Sequence, residues 1–93
     1  MRPTHITVQI PGPLRACAGA SELALAARSV RAMLEALEQQ HPALHRNVCD
    51  ETGTVRRHVN IFVNTDNMRD CKGLDTPLLP GDVVTILPAV SGG

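Results

Sequence analysis

The sequence has almost no aromatic residues, with one Phe and no Trp or Tyr among its 93 residues. Proteins that bind single-stranded nucleic acids stack the bases on aromatic side chains, so a binding platform of that kind is excluded. The chain also lacks net charge, since nine Lys and Arg balance nine Asp and Glu. A nucleic-acid binder needs a basic face to neutralise phosphate. The composition therefore argues against nucleic acid as a partner.

Long apolar runs are missing as well, and no stretch of the sequence approaches the length of a membrane-spanning helix. The first residues lead straight into a strand pattern, so no signal peptide is expected. Cysteine is sparse: Cys17, Cys49 and Cys71 form no CxxC motif and no disulfide framework. Because reduced thiols are typical of the cytoplasm, the sequence predicts a cytoplasmic protein with no membrane segment.

A convincing set of metal ligands is also absent. His41, His45 and Cys49 follow one another at a spacing of four, which on a continuous helix would place three zinc ligands on one face. Pro42 interrupts that register, and the polar stretch 43–55 is predicted to be a long connection. We therefore expect no metal site, and we expect both histidines to be surface residues.

Hydrophobic patterning predicts four main strands and one main helix. The helix begins after Ser29, a typical N-cap, and ends at His41-Pro42, because proline disfavours helical angles in the residue before it. Its apolar stripe consists of Val30, Met33, Leu34 and Leu37. The strands are predicted at 4–10, 22–26, 58–64 and 82–90. Residues 14–20 are predicted to be a loop or the return arm of a hairpin, and 65–81 to be rich in turns, with a short strand near Met68.

This order of elements is typical of an α+β protein, in which a mixed sheet has one main helix packed on one face. Among small folds it matches the ubiquitin-like β-grasp. In that topology the first and last strands are parallel neighbours, and the strand at 58–64 lies beside the last one. A chain of 93 residues is the size of one domain. We expect residues 1–93 to form a single β-grasp domain with a flexible tail at 89–93.

The sequence closes on Gly92 and Gly93, directly after the last predicted strand and the small residues Ala89 and Ser91. Glycine loses more backbone entropy on ordering than any other residue, so a glycine pair at this position adds nothing to a core. A thin backbone of this kind is suited to entering the active site of another protein. There it would present the Gly93 carboxylate.

Three segments resemble the ThiS/MoaD family of ubiquitin-like sulfur carriers. Residues 81–93 (GDVVTILPAVSGG) resemble the carboxyl-terminal block of the family, and residues 59–64 (VNIFVN) resemble its third-strand motif. Residues 7–11 (TVQIP), together with Leu14 and Arg15, resemble a subgroup, the CysO-like carriers of cysteine biosynthesis. The resemblance spans the whole chain and is weak only over 40–57. Ser91 departs from the pattern, since relatives commonly have alanine there.

The resemblance implies a sulfur carrier that is a protein cosubstrate and not an enzyme. An E1-like adenylyltransferase and sulfurtransferase would use ATP and Mg²⁺ to adenylate Gly93, and a sulfur donor would convert the adenylate to a thiocarboxylate. The implied acceptor is a PLP-dependent cysteine synthase-like enzyme, with a JAMM-type metalloprotease as a further partner. The carrier itself would bind no cofactor and would be a monomer when free.

Recognition by such partners needs a surface as well as a tail. If the core takes Val84 and Ile86, alternation places Thr85 and Leu87 on the open face of the sheet, and Phe62 points to that face from the neighbouring strand. We therefore expect a docking surface formed by Phe62 and Leu87, surrounded by His5, His58 and Asn60, and continued by Ala89, Val90 and Ser91. A slip of one residue would instead bury Phe62 in the core.

Other functions stay open at this point. The sulfur acceptor could be molybdopterin, thiazole or a sulfur-containing secondary metabolite. Alternatively, the chain could be a ubiquitin-like protein modifier that is conjugated through Gly93, or a β-grasp binding module with an incidental Gly-Gly end. Lys72 is the single lysine, so chains of modifiers built on lysine are disfavoured.

Overall fold

The computed structural model describes residues 5–88 of the chain. The predicted site residues Ala89, Val90, Ser91, Gly92 and Gly93 lie outside the described residues. Within 5–88 one five-stranded sheet is accompanied by three α-helices. The elements are, in chain order, β1 (Ile6–Gln9), α1 (Arg15–Ala18), β2 (Glu22–Leu25), α2 (Val30–Gln40), α3 (Pro42–Val48), β3 (Val59–Val63), β4 (Asp66–Asn67) and β5 (Val83–Pro88).

The sheet has the strand order β2-β1-β5-β3-β4. The first and last strands are parallel neighbours, with Val8 opposite Val84, as the sequence predicted. β3 runs antiparallel to β5, with Ile61 opposite Ile86, and the other strand pairs are also antiparallel. This arrangement confirms the predicted ubiquitin-like β-grasp within the α+β class.

Helix α2 covers one face of the sheet. The hydroxyl of Ser29 accepts a hydrogen bond from the backbone N–H of Ala32 at 3.1 Å, which confirms the predicted N-cap. The predicted apolar stripe is buried and joins the side chains of the central strands in one hydrophobic cluster: Val30, Met33, Leu34 and Leu37. Burial of this stripe fixes the helix against the sheet, because an isolated helix of eleven residues is only marginally stable in water.

The prediction of a long connection over 43–55 was wrong, because the chain resumes a helix directly after α2. Pro42 takes the first position of α3, where its missing N–H has no partner to lose and its fixed φ suits a helix. Leu44, His45 and Val48 of this helix are buried, so the prediction that His45 lies on the surface was also wrong. Residues 14–20, expected as a loop or hairpin arm, contain the short helix α1, which follows a 3₁₀ turn at Gly12–Leu14.

Candidate functional site

Side chains of β3 and β5 alternate between a closed face under the helices and an open face. Val59, Ile61 and Val63 are buried, whereas Phe62 between them is half-buried on the other face. On β5, Leu87 is 45% exposed. The predicted orientation of Phe62 and Leu87 is therefore confirmed, and the slip that would bury Phe62 does not occur.

Strand pairing brings the predicted site residues to one end of this open face. Asn60 lies opposite Leu87, and Phe62 lies opposite Thr85. Val59 pairs with Pro88, the last described residue, and the exposed His58 precedes Val59. We call Phe62, Leu87, Asn60 and His58 the docking patch. It lies where β5 leads into the five residues that end at Gly93.

His5 does not belong to this patch, contrary to the sequence-based expectation. The carbonyl of His5 accepts a hydrogen bond from the N–H of Gly81 at 3.1 Å, which places it beside the start of β5. Since β1 is parallel to β5, the start of β1 lies beside the start of β5, at the opposite end from Leu87.

A polar network that the sequence did not predict supports one side of the docking patch. The Asn60 Oδ1 accepts hydrogen bonds from Nδ2 of Asn67 at 3.3 Å and from Nη1 of Arg69 at 2.9 Å. Nη2 of Arg69 donates to the carbonyl of Arg56 at 3.1 Å. These contacts join residues that are 7, 9 and 13 positions apart, so no short sequence motif predicts them.

A groove of about 290 Å³ flanks the other side of the docking patch. It lies at the ends of β1 and β5, and its lining includes Gln9, Arg15, Glu22, Thr85 and Leu87. Nε of Arg15 donates a hydrogen bond to the carbonyl of Ile10 at 3.1 Å, which holds the side chain against the groove. Leu87 is therefore accessible both from the open face and from this groove.

Cys49 offers no activated thiol. Burial, reinforced by the nearby Asp50 carboxylate, raises the pKa of the Cys49 thiol to about 11, so it stays protonated at neutral pH. Cys17 is half-buried and Cys71 is exposed. Cys49 therefore offers no nucleophilic thiolate at neutral pH, and it lies in the hydrophobic core and not on the docking patch.

The residues considered as zinc ligands do not assemble. His45 Nδ1 lies 3.8 Å from Oε2 of Glu38, but among residues 5–88 no group of three His, Cys, Asp or Glu side chains could hold a metal ion. Likewise, none of the helices described is long and apolar enough to cross a bilayer.

Comparison with known proteins identifies the family. The model of the ThiS family matches residues 8–93. The sulfur carrier protein CysO of Mycobacterium tuberculosis (strain ATCC 25618 / H37Rv) is 36% identical over 92 residues, which cover 96% of this chain and 99% of the relative. A putative sulfur carrier protein of Archaeoglobus fulgidus is 44% identical over 41 residues, covering 44% of this chain and 47% of the relative.

Solved structures give the same result. CysO of Mycobacterium tuberculosis matches with a TM-score of 0.83 and 35% identity, covering 91% of this chain and 99% of that one. A chain in the BexX/CysO complex of Amycolatopsis orientalis has a TM-score of 0.86 and 31% identity, with 95% and 99% covered. The small archaeal modifier protein 1 of Methanosarcina acetivorans has a TM-score of 0.83 and 33% identity over the full length of both chains.

Proposed function

This chain belongs to the ThiS family, and from that premise we propose that it carries sulfur as a thiocarboxylate at Gly93. The observation that carries the proposal is the extent of the family match, which runs from residue 8 through residue 93 and so includes Gly92 and Gly93. The protein is a small carrier and not a catalyst. Its own contribution is the reacting carboxyl group and the surface by which enzymes hold it.

The chemistry follows from the low reactivity of a carboxylate. An oxygen of the Gly93 carboxylate attacks the α-phosphorus of ATP in an E1-like enzyme, and pyrophosphate leaves, with Mg²⁺ neutralising phosphate charge. Sulfide then attacks the acyl carbon of the adenylate, the carbon–oxygen bond to AMP breaks, and a thiocarboxylate results. With a persulfide as donor, the acyl disulfide that forms must be reduced by a thiol to release the same product.

The geometry supports this role for the tail. Pro88 is paired with Val59 in the sheet, so the position from which the last five residues depart is fixed. Five extended residues reach at most about 17 Å. A partner that holds the docking patch therefore has the Gly93 carboxyl within that radius, which converts a bimolecular encounter into a positioned reaction.

The acceptor that we propose is a PLP-dependent cysteine synthase-like enzyme. Support comes from the two CysO matches, which extend over at least 91% of this chain. In that reaction the thiocarboxylate sulfur would bond to the β-carbon of a serine activated on its side-chain oxygen and held by the partner, the activated oxygen group would leave, and cysteine would be joined to Gly93 through its sulfur. A JAMM-type metalloprotease would then hydrolyse the acyl bond between Gly93 and cysteine with water, which releases cysteine and restores the Gly93 carboxylate. ATP, Mg²⁺ and PLP belong to the partners, and the carrier is proposed to act as a monomer in the cytoplasm.

Intact mass spectrometry tests the proposal. The protein is incubated with the E1-like enzyme of the same organism, Mg-ATP and sulfide. We expect the mass to change by the replacement of one oxygen with sulfur, and we expect no change without ATP. A variant that lacks Gly92 and Gly93 should lose the modification completely and keep its thermal midpoint.

Leu79→Ala is a matched control for this experiment. Leu79 is 67% exposed and its N–H bonds Asp82 just before β5, at the opposite end of the sheet from the docking patch. The Leu79→Ala variant should be converted to the thiocarboxylate to the same extent as the chain with the natural sequence. An unchanged mass of the full-length chain, with an enzyme shown to be active on ATP, would contradict the proposal.

A second candidate function is conjugation to other proteins through Gly93. The full-length match to small archaeal modifier protein 1 favours it. Expression of an epitope-tagged chain in its host would distinguish the two functions. A modifier gives shifted bands on target proteins that depend on Gly92 and Gly93, whereas a dedicated carrier gives only the free chain and its thiocarboxylate.

A further inference from the structure

The arginines near the docking patch form no ion pairs within residues 5–88. Within this range Arg31 forms an ion pair with Asp75, at 3.0 Å, and Nδ1 of His45 lies 3.8 Å from a carboxylate oxygen of Glu38. Both involve helices α2 or α3 and not the open face. We call the four unpaired arginines that surround the docking patch the basic rim: Arg15, Arg56, Arg57 and Arg69.

The basic rim flanks the end of β5 on both sides. Arg69 is bonded to Asn60, which lies opposite Leu87. Arg56 and Arg57 occupy the turn that closes with the hydrogen bond from Val59 N–H to the Arg56 carbonyl, at 3.0 Å. On the other side, Arg15 shares the groove with Leu87. A chain with zero formal net charge therefore concentrates positive charge around the root of its tail.

Three of the four side chains are held in place by neutral acceptors. The acceptors are carbonyl oxygens and one amide: the Ile10 carbonyl for Arg15, the Arg46 carbonyl for Arg56, and the Asn60 amide with the Arg56 carbonyl for Arg69. Such bonds fix the guanidinium without neutralising its charge. A fixed side chain loses less conformational entropy when it meets a partner, so these arginines are preorganised for binding.

Neighbouring carboxylates do not cancel this charge by direct contact. Glu22 lines the groove beside Arg15. The hydrogen bond from the Thr52 hydroxyl holds the pKa of Asp50 below its usual range, and the charge of Arg56 adds a smaller effect in the same direction. Neither carboxylate lies within 4.0 Å of a rim guanidinium, as far as the described residues show. The rim is therefore available to carboxylates of another molecule.

We propose that the basic rim binds a ring of Asp and Glu side chains around the entrance to the adenylation site of the activating enzyme. This inference rests on the proposed function, because it names the chemistry of the surface that receives the tail. Unlike charges at the edge of an interface accelerate encounter and orient the two proteins before contact. The apolar Phe62 and Leu87 then make the central contact, with charge at their edge.

Two features favour a protein over a nucleic acid as the occupant. The centre of the rim is apolar, and Leu87 there is exposed. A phosphate backbone offers no group to cover that leucine, whereas a protein surface does. The chain also has a single aromatic residue on which a base could stack.

The test compares two double charge reversals with equal change in net charge. Arg57→Glu with Arg69→Glu alters the rim. Arg28→Glu with Lys72→Glu alters the far end of the sheet, where the Arg28 carbonyl bonds Leu78 and Lys72 shares a cavity with Asn64 and Val63. Adenylation is followed with the E1-like enzyme at several ionic strengths, and circular dichroism checks that each variant is folded.

We expect the rim variant to lower kcat/KM by about tenfold at low ionic strength, mainly through KM, and to flatten its salt dependence. The control should follow the unmodified chain. Arg57→Glu alone, at a side chain with no hydrogen bond among the described residues, should show the same trend and guards against misfolding of the double variant.

Each remaining outcome is informative. If both double variants load equally well at all salt concentrations, the inference is overturned while the proposed function stands. If no chain is loaded by an active enzyme, the proposed function itself has failed. A fluorescent duplex oligonucleotide is titrated in parallel. Tight binding to it that the rim variant abolishes would overturn the assignment to a protein partner.

Discussion

The two faces of the sheet differ although the same strands build both. On the closed face, Ile61 and Ile86 are fully buried beneath helix α2. On the open face, their chain neighbours Phe62 and Leu87 are half-buried and 45% exposed. Both sets share one ladder of backbone hydrogen bonds, so the difference lies only in what covers the side chains. In this protein the parity of a residue along β3 or β5 decides whether its side chain is buried in the core or exposed on the face proposed for docking.

The energies that follow from this difference are large enough to measure. Complete burial of a large aliphatic side chain contributes about 1.5–3 kcal/mol, and a partly exposed one contributes only a fraction of that. Total stabilities of small domains are about 5–15 kcal/mol. A change on the closed face therefore threatens the fold, whereas a change on the open face leaves enough stability for function to be assayed.

The largest effect should come from Ile61→Ala. Ile61 lies opposite Ile86 in the centre of the closed face and has no exposed surface. Removing its side chain beyond Cβ leaves a cavity, and such changes cost about 2–5 kcal/mol in the free energy of unfolding. Urea denaturation followed by circular dichroism measures this loss.

Ile61→Val is the matched control for that change, since it deletes one methylene and should cost about 0.5–1.5 kcal/mol. A loss for Ile61→Ala no larger than that of the valine variant would mean that the closed face tolerates cavities. The contrast between the two faces would then be much weaker than their burial suggests.

A smaller effect, visible in loading and not in folding, should come from Phe62→Ala combined with Leu87→Ala. If the docking patch contacts the activating enzyme, the double variant should lower kcat/KM for adenylation by at least about tenfold, or about 1.4 kcal/mol. Its loss of stability should be smaller than that of Ile61→Ala, because neither side chain is fully buried.

Val83→Ala serves as the control for the docking patch. Val83 is also half-buried, and it opens β5 on the open face, about 13 Å from Leu87 along the strand. It should retain normal loading. If the Val83 variant and the double variant lose the same activity, the whole open face, and not its end near the tail, is the recognition surface.

The sequence was sufficient for much of this picture because the relevant signals are local. A period of two along 59–63 fixed which side chains share a face, and Ser29 marked the start of α2 through a bond to a residue three positions on. Both rest on backbone geometry that neighbouring residues determine. The similarity to sulfur carriers was recognised from the three segments that match the family pattern, because composition alone does not indicate it.

What the sequence did not reveal depends on tertiary contacts or on competing local signals. Pro42 both ends α2 and begins α3, and the prediction of a long connection rested only on the first effect. The contact of Arg69 with Asn60 exists only because β4 folds back beside β3. His5 is a different case, because the predicted topology already implied its true position: with β1 parallel to β5, the start of β1 lies at the opposite end from Leu87.

The smallest of the predicted effects concerns Ser29→Ala, which distinguishes the stability that the closed face contributes from the docking proposed for the open face. The variant removes the hydroxyl that accepts from the N–H of Ala32 and should cost about 1 kcal/mol of stability. For a domain of this size that lowers the thermal midpoint by about 4–8 °C. Loading by the activating enzyme, measured well below that midpoint, should not change.

Ser29→Thr keeps a hydroxyl oxygen at the N-cap and should recover most of the lost thermal midpoint. This recovery would show that the loss in Ser29→Ala comes from removing the capping hydrogen bond. The contrast between the closed and the open face of the sheet is tested by the adenylation rate of Ser29→Ala. If Ser29→Ala slows adenylation as strongly as it lowers stability, then a defect beneath α2 reaches the docking patch through the shared strands. The two faces would be mechanically coupled, and residue parity would no longer separate stability from recognition.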